Sequence, residues 1–288
     1  MKAISFYSIK GGTGRSLALA NIATYLATKG KRVLCIDLDI QAPGLYTLFR
    51  LPEEVKANAK TVVEILLSLD ELPDMRVIDG GKYLSLPAGH LFVIPAFPMN
   101  KNELLKLSKN KDIWGGEYLR VLADRFLKPL CVLKNIDYVF MDSRSGIVQE
   151  AMNAITLAAV LSPEDAMCLL FTRLDSQSRQ ATYHALKLFE QYQYEILTKI
   201  IVSNVPWGAK KFKLGVGECN FSEEAYNILV DFAKGITHFE KEIVVSIPFD
   251  EKYLLEHRII TTEEKDTPLY NSYRLLGEYI EKLREEKR

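Results

Sequence analysis

Lys10-Gly11-Gly12-Thr13-Gly14-Arg15-Ser16 decides how this chain is read. The stretch follows a short apolar run, Ala3-Ile4-Ser5-Phe6-Tyr7, and leads into an Ala/Leu-rich segment with helical character. A strand, a glycine bend and a helix in that order present backbone N–H groups and a helix N-terminus to an anion, above all a phosphate. Glycine suits the bend because a Cβ would hold the backbone off the anion. Ser16 adds a hydroxyl where a magnesium ion carried by the phosphates would lie.

Outward from this bend, apolar runs alternate with helical patterns, which predicts a doubly wound, mostly parallel sheet of seven to eight strands with helices on both faces. The predicted strands are Ala3–Tyr7, Arg32–Asp37, Leu91–Phe97, Tyr138–Asp142, Ala166–Thr172, Leu197–Asn204 and Ile243–Pro248. Leu17–Lys29 reads as the first helix, with Gly30 at its C-terminal stop. In such a fold ligands bind at the carboxyl ends of the strands. Residues 51 to 90 read as an insertion: a helix over Thr61–Leu69, then a hairpin over Val77–Leu86 around Asp79-Gly80-Gly81. Residues 206 to 221 read as a loop. No repeat or Pro/Ser-rich linker divides the chain, so one domain over 1–288 is the simplest organisation.

Composition narrows the function classes. The 288 residues are 48% hydrophobic and 26% charged, an ordinary balance for a soluble globule. Lys+Arg and Asp+Glu are both 37, so no global field draws the chain to nucleic acid or an anionic membrane. Met1-Lys2 runs straight into the first strand without a signal-peptide pattern, and no apolar run nears the roughly 18 residues of a membrane helix. Cys35, Cys131, Cys168 and Cys219 are widely spaced, with no C-x-x-C pair, and Cys35 and Cys168 read as small core residues. His90, His184, His238 and His257 show no metal spacing. A reduced, cytoplasmic setting is expected.

The bend fits two common phosphate motifs poorly. In G-x-x-x-x-G-K-[ST], Ile9 takes the first glycine and Arg15 the lysine. In G-x-G-x-x-G, Leu17 takes the third glycine. It matches K-G-G-x-G-K-[ST], a deviant Walker A loop, at six of seven positions. On this loop, and on the strand-end segments Asp37-Leu38-Asp39-Ile40-Gln41-Ala42-Pro43-Gly44, Tyr138-Val139-Phe140-Met141-Asp142-Ser143-Arg144-Ser145-Gly146, Val202-Ser203-Asn204-Val205-Pro206 and Ser246-Ile247-Pro248-Phe249-Asp250, the chain resembles the ParA/MinD superfamily of dimerising P-loop ATPases. Its Arg15 form resembles a bacterial subgroup often encoded beside effector modules.

The resemblance implies roles residue by residue. Gly11, Gly12, Thr13, Gly14, Arg15, Ser16 and Leu17 would cradle ATP, with Arg15 on the β- and γ-phosphates. Lys10 would cross a dimer interface to the other subunit's phosphates, as an arginine finger does in trans. Asp39 would position the attacking water. Ser16, with Asp37 and Asp142 acting mainly through water, would hold Mg²⁺. Gly146 would offer its N–H near the γ-phosphate, Asn204 would read the adenine edge, and Pro248 would border the base. Arg144 could reach the phosphate or the partner subunit, or be a surface residue.

Three features draw attention away from this site. Tyr270, Tyr273, Leu276, Tyr279, Ile280 and Leu283 stand at helical spacing and read as packing against the sheet rather than as phosphorylation targets. The tail Glu281–Arg288 has mixed charge, so membrane anchoring is not expected. Lys210, Lys211 and Lys213, with Trp207 and Phe212, make a small basic-aromatic segment that could touch DNA, RNA or an acidic partner. The resemblance implies an ATP-driven, homodimerising switch that regulates an unidentified protein partner. The alternatives are an assembly module that hydrolyses little or nothing, a small-molecule ligase of the same fold, and a tyrosine-kinase-like ATPase.

Overall fold

The computed structural model describes residues 1–58, 61, 62, 65, 77–97, 115–191, 196–250, 259 and 265–285. Its first elements are β1 (Lys2–Ser8), α1 (Arg15–Thr28), β2 (Val33–Asp37), the short helices α2 (Leu45–Leu48) and α3 (Glu53–Asn58), β3 (Ile78–Asp79) and β4 (Leu91–Ile94). Then come α4 (Gly116–Leu122), which passes through one π turn into α5 (Lys128–Leu133), β5 (Tyr138–Asp142), α6 (Gln149–Leu161), β6 (Met167–Thr172) and α7 (Ser176–Gln191). The remainder is β7 (Leu197–Val205), β8 (Trp207–Leu214), β9 (Gly217–Phe221), α8 (Glu223–Thr237), β10 (Ile243–Pro248) and α9 (Pro268–Glu285).

Eight strands form one sheet in the order β10-β7-β6-β1-β5-β2-β4-β3. All neighbours pair in parallel except β3 with β4. The chain leaves β1 toward one edge and its later strands fill the other, which opens the crevice at the carboxyl end of β1. β1, β2, β5, β6 and β10 are buried along their whole length, as helices on both faces demand.

Alternation along the strands builds two cores. Ala3, Tyr7, Leu34, Ile36, Val139, Met141, Cys168 and Leu170 face one layer, with α6, α7 and α8. Ile4, Phe6, Val33, Cys35, Tyr138, Phe140, Leu169 and Phe171 face the other, with α1 and α9. In that second layer Phe6 lies 5.1 Å from Phe140 and 5.9 Å from Phe171, ring centre to ring centre. Truncating such a ring costs about 3–5 kcal/mol. Cys35 and Cys168 are core residues, as expected. Tyr273, Leu276 and Ile280 of α9 are buried, with Tyr270, Tyr279 and Leu283 packed beside them. They rest on α1 as well as on β10: a Cβ on Gly277 would stand 2.6 Å from the Tyr25 ring, so only glycine lets the two helices approach this closely.

Two expectations need correction. Gly80–Tyr83 is a 3₁₀ turn and not the tip of a hairpin, because the Asp79 carboxylate accepts from the backbone N–H groups of Gly81 and Gly89 and folds the segment onto itself. The strand pairing there joins Ile78 and Asp79 to Val93 and Phe92. Residues 206–221 are not a loop either: β8 and β9 pair antiparallel, with Lys213 opposite Glu218. Most of the helix expected over 61–69 lies outside the described residues, as do the side chains of Trp207, Lys210, Phe212 and Lys213. No helix among the described residues is long and apolar enough to cross a membrane.

Candidate functional site

Three strand ends converge on the glycine bend. β1 stops at Ser8, β2 at Asp37 and β5 at Asp142, and Asp37 and Asp142 are register partners across adjacent strands. Between Ser8 and α1 the chain turns through Gly12 and Gly14, both at φ 71°, in the left-handed region where a side chain is strained. Gly14 precedes α1 without a side-chain cap, leaving the first-turn N–H groups to whatever fills the space above them. That space is a cavity of about 550 Å³ lined by Gly11–Leu17, Ser8, Asp39, Ala42, Gly44, Thr47, Leu48 and Ser145. An uncapped helix start at a glycine bend has the N–H groups and dipole that suit an anion.

The acids around it are employed differently. Asp37 is fully buried and accepts three backbone N–H bonds, from Asp39 to Oδ1 and from Gly44 and Leu45 to Oδ2, each 3.1 Å. It thereby shapes the turn and starts α2. Burial and the neighbouring Asp142 charge push its pKa well above the usual carboxylate value, against the three N–H groups. Asp39 accepts from the Ala42 N–H at 3.2 Å. Burial raises its pKa, as does the Asp142 charge, while Arg15 and Arg144 pull it down.

Arg15, one of the lining residues, has its guanidinium engaged on three sides. Its Nε donates to Asp142 Oδ1 at 2.7 Å, Nη1 to Ser8 Oγ at 3.1 Å and Nη2 to Asp39 Oδ2 at 3.4 Å. The turn after β5 is tied back to β1. The Ser143 hydroxyl donates to the Phe6 carbonyl at 2.8 Å, the Gly146 N–H donates to the Ser8 carbonyl at 3.1 Å, and the Tyr7 hydroxyl donates to the Gly146 carbonyl at 2.7 Å.

A second, smaller cavity of about 40 Å³ adjoins the first through Thr13, Gly14 and Leu17, and is walled by Ser203, Asn204, Ile247, Pro248, Phe249, Asp250, Leu269 and Tyr273. Asn204 sits at φ 55°, and its amide donates to the Gly12 carbonyl at 3.1 Å, fastening β7 to the bend.

The residues named from sequence therefore fall into one neighbourhood. Gly11 to Leu17 and Asp39 line the large cavity, Asn204 and Pro248 line the small one, and Asp37 and Asp142 lie beneath. Lys10 is exposed at the start of the bend. The Gly146 N–H is spent on Ser8, and Arg144 is half-buried near Asp39. Ser8, Tyr7 and Ser145 join this neighbourhood without having been expected there. Ser8 was findable as a polar residue closing an apolar strand beside the bend, whereas nothing in the sequence points the Tyr7 hydroxyl at Gly146.

The donor chemistry suits magnesium. Ser16 lines the cavity and the carboxylates of Asp39 and Asp142 lie close to it, all hard oxygen donors. Among the described residues no three His, Cys, Asp or Glu side chains converge to hold a metal by themselves. Magnesium needs no such cage, because it keeps waters and takes its other ligands from phosphate oxygens.

Comparison with known proteins adds the family. Septum site-determining protein MinD of Helicobacter pylori is 24% identical over 286 residues, covering 96% of this chain and 91% of that protein. The tyrosine-protein kinase YwqD of Bacillus subtilis is 40% identical over 114 residues, 39% of this chain and 44% of the kinase. Several curated relatives are longer proteins, of which the match spans less than half: 38% in one and 44% in another. The solved structure of MinD complexed with Mg-ADP from Pyrococcus horikoshii superposes with a TM-score of 0.65 at 17% identity, covering 100% of this chain and 98% of that one. The model of the CobQ/CobB/MinD/ParA nucleotide binding domain matches residues 4–287, nearly end to end. With the bend, the strand-end acids and the sheet order in place, the chain belongs to the CobQ/CobB/MinD/ParA nucleotide-binding domain family.

Proposed function

We propose that this protein is an ATP-dependent molecular switch of the ParA/MinD type, binding ATP with Mg²⁺ and hydrolysing it between two copies of itself to regulate a partner protein. The observation that carries the reading is the large cavity over the uncapped Gly11–Ser16 bend, with Asp39 on its wall and Asp142 one residue contact away. Phosphoryl transfer is mainly positioning and charge neutralisation, and these are the parts on hand.

In this reading the bend's N–H groups hold the phosphates, and Asn204 and Pro248, on the walls of the small adjoining cavity, border the base. Ser16 and Asp142 hold the metal, with Asp37 fixing the turn that presents Asp39. Bound magnesium neutralises phosphate charge and orients the phosphate oxygens. Asp39 orients and deprotonates the attacking water. Lys10, exposed at the bend, supplies its ammonium to the facing subunit's phosphates. The Gly146 N–H reaches a terminal phosphate only after it leaves the Ser8 carbonyl, so the turn after β5 is the element that reports the nucleotide's state.

A second reading, a nucleotide-dependent assembly module with little hydrolysis, is favoured by one contact. Asp39, the acid that would handle the water, is paired with Arg15. Single-turnover hydrolysis separates the two: product that vanishes in Asp39→Ala supports the switch, and tight binding without product supports the module. Lys10→Ala should keep nucleotide and lose ATP-induced dimers in light scattering; unchanged dimers would remove Lys10 from the interface. Against the tyrosine-kinase reading, the α9 tyrosines serve packing: Tyr273 is buried, and Tyr270 and Tyr279 are part-buried against the same core. Mass spectrometry after incubation with ATP tests it by the absence of phosphotyrosine.

A further inference from the structure

We infer that Arg15 is the resident cation of this site: in the nucleotide-free protein its guanidinium offsets the charge of Asp39 and Asp142, so that these acids accept no divalent ion until a nucleotide brings one. The inference rests on the nucleotide-binding reading and deepens it, because it assigns the departure from lysine at this position a task of its own.

The geometry leaves the side chain little else to do. Arg15 is 8% exposed, Asp142 1% and Asp39 8%. Asp142 ends β5 and Asp39 stands two residues past β2, and two buried acids so placed are costly unless a cation meets them. A guanidinium stays protonated at every accessible pH and carries its N–H groups in a fixed plane. Here three separate nitrogens of that plane each have a partner, Asp142, Ser8 and Asp39, drawn from three different segments. A lysine ammonium is a single point of charge and cannot span three such partners in a plane. Because α1 starts at Arg15, directly after the left-handed Gly14, the root of the side chain is fixed by the same bend that receives the phosphates. One consequence is electrostatic: Asp142 Oδ1 is committed to Arg15, and a metal ion arriving alone would have to displace a buried charge-assisted bond. A second is conformational, since Ser8 accepts Arg15 through its hydroxyl and Gly146 through its carbonyl, which places the cation and the turn after β5 on one residue.

The test uses the full chain without nucleotide and Mn²⁺ as the probe, followed by the loss of its free-ion paramagnetic resonance signal and by thermal unfolding. Wild type should neither bind Mn²⁺ measurably nor gain stability from it. Arg15→Gln should bind Mn²⁺ on the order of tenfold more tightly or better and should melt higher when Mn²⁺ is added. Equal Mn²⁺ binding by the two proteins, or no gain in the variant, overturns the inference. If Arg15→Gln does not fold, the double variant Arg15→Gln/Asp142→Asn decides. A folded double variant that ignores Mn²⁺ supports the charge-balancing role, and one as unfolded as the single variant overturns it. A parallel titration of wild type with Mg-ADP keeps the two claims apart: failure to bind it ends the nucleotide reading while the Mn²⁺ result still reports on Arg15.

Discussion

The turns after β2 and β5 begin on adjacent carboxylates, Asp37 and Asp142, and use them in opposite ways. Asp37 spends both oxygens on three backbone N–H groups of its own turn. Asp142 gives Oδ1 to the side chain of Arg15, 127 residues away in the chain. The first acid is part of the scaffold and holds Asp39 and α2 in place. The second is part of a charge balance that can be renegotiated, because its partner is a side chain able to turn and not a fixed peptide. The same contrast extends to the turns themselves. Asp37 pins its turn from inside, whereas the turn after β5 is held at Gly146 from β1: the Ser8 carbonyl accepts the Gly146 N–H and the Tyr7 hydroxyl donates to the Gly146 carbonyl. A site needs one rigid wall to position a reaction and one releasable wall to report it.

Substitutions can break this contrast. Asp37→Asn should show the largest stability loss, about 2–3 kcal/mol, since an amide offers one acceptor oxygen and turns a donor toward backbone N–H groups. Urea unfolding followed by circular dichroism measures it; a loss no larger than that of Asp142→Asn erases the distinction. Asp142→Asn should cost about 1–2 kcal/mol, because Arg15 keeps Asp39 and Ser8. Its main effect should fall on nucleotide binding, with the Mg²⁺-dependent part of ADP affinity reduced on the order of tenfold or more, as titrations with Mg²⁺ and with a chelator will read. Tyr7→Phe sharpens the second half of the comparison. It should cost about 1 kcal/mol and speed hydrogen exchange at Gly146 while leaving Asp39 and Gly44 protected, by mass spectrometry. Equal loosening of both turns would refute the division between them. Ser222→Ala calibrates the scale: it removes the cap bond to the Ala225 N–H at 3.1 Å. It should cost about 0.5–1 kcal/mol with no change in ADP affinity, being remote from the strand ends.

Much of this site is legible because strand ends in a doubly wound sheet are marked by where apolar runs stop. Tyr138–Asp142 and Ile243–Pro248 are read from sequence with their observed bounds, and the acids follow from them. Burial on both faces makes such strands nearly continuous in apolar residues, which is a strong signal. The β8–β9 hairpin escaped because Gly208, Gly215 and Gly217 read as loop punctuation, although Lys211-Phe212-Lys213-Leu214 alternates with the period of a strand. Gly80-Gly81 suggested a hairpin tip because the sequence does not say that the Asp79 carboxylate would capture two N–H groups. The contacts of Arg15 with Asp39 and Asp142 were out of reach for the same reason. A motif fixes where a side chain starts, but these partners are brought together only by the sheet order.

Calorimetric titration of Mg-ADP into the wild type and into Gly14→Val tests the central claim most directly. Gly14 sits at φ 71° at the start of α1, a left-handed conformation that a β-branched residue strains, so that the bend must distort. The account predicts saturable one-to-one binding per chain in the wild type and none in the variant, with circular dichroism unchanged between them. A wild type that gives no binding heat, or a folded variant that titrates identically, would contradict it.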